Sequence, residues 1–64
     1  MDEKDRVSVG LFIRNARLSK GMTQEELSDS LNMDQRTLSL IEHGFASPTQ
    51  KKMKLIKDVL DLDF

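Results

Sequence analysis

Gln35 and Arg36 are adjacent side chains of the kind that grip a base edge with two hydrogen bonds, glutamine on adenine and arginine on guanine. Ser39 and Leu40 follow one helical turn later, where a leucine can touch a thymine methyl. Catalytic chemistry finds little footing. Glu25, Glu26 and Asp29 cluster at the start of a predicted helix, where acids usually complement the helix dipole. His43 is the single histidine and the chain has no cysteine, so a surface or capping role fits it better than metal ligation. Met22, Met33 and Met53 sit at core or near-core spacing and read as core filling. The expectation is a protein that is not an enzyme, with no metal and no cofactor.

These residues need elements to hold them, and the chain reads as helices throughout. Residues 1–6 are charged and without period, and are expected to form a mobile arm, with a domain from 7 to 64. Val9, Phe12, Ile13 and Ala16 follow helical spacing and predict an inward face, ended by Gly21. Thr23 with Glu26 makes a capping box for a second helix, and Met22 with Leu27 the matching staple. Leu27 and Leu31 lie on its inner face, and Asn32 accepts the left-handed turn that ends it. Asp34 is a good cap for a third helix with Leu38 and Ile41 inward, stopped at Gly44. A fourth helix opens either at Ser47 with Pro48 in its first turn, or at Thr49. Met53, Ile56, Val59 and Leu60 form its apolar face.

The stretch from Gly21 to Gly44 is thus two short helices joined by a tight turn. In that layout the first helix props the second so that the polar leading end of the second protrudes, which suits entry into the major groove. The fold class expected is all-α, a compact bundle of four to five helices.

Composition sets the bounds. Sixty-four residues make one small domain, which with no cysteine must draw on oligomerisation, a metal held without thiolates or tight helix packing, since disulfides are excluded. No apolar run approaches the roughly 20 residues of a membrane span, and the charged start is not a secretory leader. A cytoplasmic protein of a bacterium or phage is expected. The net charge of −1 argues against a nucleic-acid partner only as a sum. From Arg6 to Lys57 nine Lys or Arg face five Asp or Glu, while the acids concentrate at the two ends. The local field at a docking face follows the first figure.

The chain resembles the phage repressor/Cro-type helix-turn-helix family, also called XRE-like, over about Val9 to Leu62. The carriers are Val9-Gly10, Ile13, Ala16-Arg17, Gly21-Met22-Thr23-Gln24-Glu25-Glu26-Leu27, Leu38, Ile41-Glu42, Gly44, Pro48, Met53, Ile56 and Leu60. The resemblance implies a lambda-repressor-like fold and binding to double-stranded DNA as a repressor-type transcription regulator. By the same resemblance Asp34, Gln35, Arg36 and Leu40 face bases, joined by Ser39. Thr23, Gln24 and Thr37 face phosphate. Arg17 and Glu42 match a structural salt bridge. The sequence departs from the family in the loop Gly44-Phe45-Ala46-Ser47, which is commonly basic in relatives. Lys51 and Lys52, one turn on, are the candidates to replace those phosphate contacts. Ser28 stands where alanine is usual, and Asp61 where glycine is.

Phe45, Leu55, Leu62 and Phe64 fall off the main apolar stripes toward the C-terminal half, as a candidate dimer surface. A homodimer on DNA would read a palindromic operator with half-sites about one helical turn apart. A protein-interaction module of the same fold, bound to a regulatory partner, is the alternative. The chain as the DNA-binding head of a longer protein is a third reading.

Overall fold

The computed structural model describes residues 2–62, so the expectation for Phe64 lies outside the described residues. Among them the chain forms four helices and no strand: α1 Glu3–Ser19, α2 Gln24–Ser30, α3 Gln35–Glu42 and α4 Gln50–Leu60. None of these helices is long and apolar enough to cross a membrane.

Of the charged start expected as an arm over residues 1–6, Glu3 to Arg6 are already helical in α1. Asp2 caps it, its carboxylate accepting from the Asp5 backbone N–H at 2.9 Å. Glu3 and Asp5 in the first turn complement the positive end of the helix dipole. Aperiodic charge at a chain end is also what a well-capped first turn looks like. At the other boundary in doubt, α4 takes the second of the two expected starts. Thr49 is the cap, its hydroxyl accepting from the Lys52 N–H at 3.1 Å.

All four helices end alike. A left-handed residue (Gly21, Asn32, Gly44 and Asp61, at φ 69°, 53°, 80° and 54°) turns the chain. The next residue's N–H then reaches back five positions, Met22 to Arg17, Met33 to Ser28, Phe45 to Leu40 and Leu62 to Lys57, at 2.9–3.1 Å. This Schellman arrangement satisfies carbonyls that a helix end otherwise strands. Aspartate tolerates the left-handed region nearly as asparagine does, so Asp61 ends α4 where glycine is usual. The residue after the turn is apolar each time. Met22, Met33 and Leu62 pack against the core, whereas Phe45 is 78% exposed.

The core is Ile13, Leu27, Leu31, Leu38, Ile41, Ile56 and Leu60, all essentially without solvent contact. Each such side chain contributes roughly 1.5–3 kcal/mol by leaving water. α3 lies against both α1 and α2, and α4 covers α1. One expected inward residue is displaced: Phe12 is 48% exposed. The line of α1 that enters the core is Gly10, Ile13 and Arg17, with Val9 and Ala16 flanking it. Apolar spacing alone missed this because glycine and arginine are not apolar side chains. Gly10 is there because the α3 backbone passes directly over it.

Candidate nucleic-acid interface

α3 separates its residues sharply by face. Leu38, Ile41 and Glu42 are buried, while Gln35, Arg36, Thr37 and Leu40 are exposed and Ser39 is half-buried. The cause is local: the Asp34 cap and the Asn32 turn set the helix start, and the two apolar residues three apart then fix its rotation about its axis. Arg36 and Leu40, four apart, therefore share an outward face. Leu40 keeps 39% of its surface in water.

Asp34 stands at the head of this face. It accepts from the Thr37 backbone N–H at 2.8 Å. Hydrogen bonding from Thr37, through its side chain first and its backbone second, holds the Asp34 carboxyl below the ordinary aspartate value of 3.8. The carboxylate is thus charged and partly neutralised by donors. Thr37, expected nearer the DNA backbone, is exposed and engaged with this cap.

His43 also falls on the outward face of α3, seven residues after Arg36, a position spacing would have revealed had the helix been extended to its cap. Its Nδ1 lies 2.8 Å from the Ser39 carbonyl oxygen. A carbonyl only accepts, so Nδ1 carries a proton and donates, and Nε2 is left for an outside partner. The ring stacks near Phe45 with centroids 6.5 Å apart.

Thr23 and Gln24 begin α2. The Thr23 hydroxyl accepts from the Glu26 N–H at 3.0 Å, and the Thr23 N–H donates to Glu26 Oε1 at 2.9 Å, completing the capping box. These bonds, the backbone one first, hold the Glu26 carboxyl below its ordinary 4.5. Gln24, expected to face phosphate, is half-buried, and its Nε2 donates to Glu42 Oε1 at 3.1 Å.

Glu42 is the meeting point of three helices. Arg17 Nε donates to its Oε2 at 2.7 Å and Arg17 Nη2 to its Oε1 at 3.1 Å, a two-pronged pair with both side chains out of solvent. Arg17 Nη1 donates to the Met22 carbonyl at 2.8 Å. Ser28, at the position of the usual alanine, is buried, and its hydroxyl donates back to the Glu25 carbonyl at 2.9 Å. That local bond makes a small polar residue as suitable there as alanine.

The lysines divide. Lys51 is exposed at the start of α4. Lys52, expected as a phosphate contact, donates its Nζ to the carbonyls of Leu31 at 2.6 Å and Asn32 at 3.3 Å. A lysine at the negative end of α2 is held there by the dipole and the stranded carbonyls, a contact between distant residues that sequence spacing does not reveal.

Of the residues expected as a dimer surface, Leu55 and Leu62 are partly buried against the core and Phe45 is exposed. α4 ends on the left-handed Asp61, and the Leu62 N–H bonds back to the Lys57 carbonyl, which draws Leu62 over the helix end. A recess of about 250 Å³ lined by Ser8, Val9, Phe12 and Met53 holds no ionisable group. Among the described residues no three His, Asp or Glu side chains are placed to share a metal ion.

A family model described as helix-turn-helix covers residues 13–64. No curated protein and no solved structure matches the chain.

Proposed function

The chain belongs to the XRE-type helix-turn-helix family of DNA-binding transcription regulators, and from that premise we propose a repressor-type regulator that seats α3 in the major groove. The observation that carries the reading is the outward face of α3, where Arg36 and Leu40 are free of the core and Gln35 is exposed beside them. Gln35 and Arg36 read base edges, with Asp34, Ser39 and Leu40 shaping which bases fit. Gln24 and the Thr23 hydroxyl hold phosphate, and Lys51 adds an exposed positive charge at the start of α4. Thr37 and Lys52, engaged in a cap and a helix end, contribute to phosphate binding through the elements they brace.

A homodimer on a palindromic operator fits the same reading, one half-site per protomer, in the cytoplasm of a bacterium or its phage. Selection of bound sequences from a random DNA pool tests function, site and symmetry together. An enriched palindrome is expected; recovery of unselected sequence overturns the reading.

A second reading has its own observation. Phe45 is 78% exposed and Leu11 and Leu18 about half exposed, an apolar complement suited to a protein partner. Retention on random DNA separates the two, since phosphate contacts impose a steep loss with salt and an apolar protein interface does not.

A further inference from the structure

We propose that Glu42, buried and remote from the outward face of α3, positions Gln24 for its phosphate contact. The inference rests on reading Gln24 as that contact. Glu42 is a carboxylate in contact with a guanidinium, and its oxygens only accept hydrogen bonds. The Gln24 amide must therefore turn its nitrogen, not its oxygen, toward Oε1, as it does at 3.1 Å. An amide nitrogen carries two hydrogens. One is consumed by Glu42, and the second is the donor left for an anion outside.

The Arg17 guanidinium holds the carboxylate in place with its Nε and Nη2, and its Nη1 is tied to the Met22 carbonyl, two residues before Gln24. The positioning chain thus runs from α1 through the last residue of α3 to the first residue of α2. An exposed glutamine must give up its rotamer freedom when it binds; Gln24 has given it up on folding. Glu42 acts on binding only through Gln24.

The test is a double-mutant cycle on binding to the operator duplex recovered from a random DNA pool, with thermal unfolding of every variant. Glu42→Gln, which keeps an acceptor for Arg17 but lets the Gln24 amide reverse, is expected to weaken binding roughly two- to tenfold. In a Gln24→Ala background the same change is expected to leave affinity within about twofold. Equal weakening in both backgrounds overturns the positioning role while leaving the function reading intact. A wild-type chain that binds no duplex DNA at low salt overturns the function reading, and this role with it. Should Glu42→Gln unfold, the unaltered protein answers by NMR. The Gln24 side-chain amide protons should exchange with water more slowly than those of the exposed Gln35 and Gln50, and one of the two should shift on adding DNA. Exchange like that of Gln35 and Gln50 overturns the proposal.

Discussion

Gly10 of α1 lies so close to α3 that a Cβ built on it would stand 2.3 Å from the Ile41 carbonyl oxygen and 2.7 Å from that of Glu42. Both obstacles are backbone, which a rotamer change cannot move. Gly10→Ala should thus destabilise by about 1–3 kcal/mol despite alanine's better helix propensity, as α1 is pushed off α3. Gly21→Ala is the comparison: its φ of 69° strains alanine, but no neighbouring atom lies within 4 Å. Denaturant unfolding should rank Gly10→Ala as the more damaging; the reverse order removes the steric account.

Arg17 and Glu42 are a buried pair whose loss is asymmetric. Arg17→Met leaves the carboxylate without its counter-ion and should cost about 3–5 kcal/mol. Replacing both with apolar residues, Arg17→Met with Glu42→Leu, should recover much of that loss. A double variant no more stable than the single one, by chemical denaturation, contradicts the burial argument.

Asp34 bears a pH prediction. Its carboxyl titrates below its ordinary value in the folded chain, so the stability it contributes is present above about 3.8 and is lost as pH falls through the lower folded value. Asp34→Ala should be less stable than wild type at neutral pH, and the gap should close in acid. Asp34→Asn keeps a cap of equal rank and removes a charge that the proposed docking brings toward DNA, so it should bind duplex DNA more tightly. Melting curves across pH and binding at fixed salt check the two halves.

Lys51 and Lys52 are neighbours with different work. Lys51→Ala should lower the salt slope of DNA binding by about one while leaving the melting temperature nearly unchanged. Lys52→Ala removes the donor to the Leu31 and Asn32 carbonyls and should cost about 1 kcal/mol of stability. Its salt slope should stay near that of wild type. If Lys52→Ala lowers the slope as much as Lys51→Ala, the ammonium is a phosphate contact.

Arg36→Ala should weaken operator binding by about 1–3 kcal/mol and relax preference at one base pair. Binding to a panel of single-position operator variants measures this. Uniform weakening across the panel reassigns Arg36 to phosphate.

Helix limits were legible wherever one residue suffices to set backbone geometry. Thr23 with Glu26, Asp34, Gly21, Asn32 and Gly44 each act within a few positions, so their roles follow from local hydrogen bonding and allowed φ. The buried Leu27, Leu31, Leu38, Ile41, Ile56 and Leu60 followed from spacing for the same reason. Phe12 did not, because which of two adjacent faces of α1 turns inward depends on where α3 crosses it, at Gly10. The partial burial of Leu55 against the core was not legible either, since it depends on helices that meet only in the folded chain.

By itself the sequence determined where α2 and α3 start, where α1, α2 and α3 stop, most of the apolar faces, and that Gln35 and Arg36 stand at the polar leading end of α3 with Leu40 a turn further on. These are short-range matters, decided by caps, left-handed turns and a period of 3.6 residues. Tertiary structure alone decided that Gln24 rests on Glu42, that Lys52 serves the end of α2, and that Phe45 stays in water while Met22, Met33 and Leu62, at the matching turn positions, pack against the core. Each of those depends on charges or surfaces from separate helices meeting in space, and a partner many residues away leaves no periodic trace in the chain.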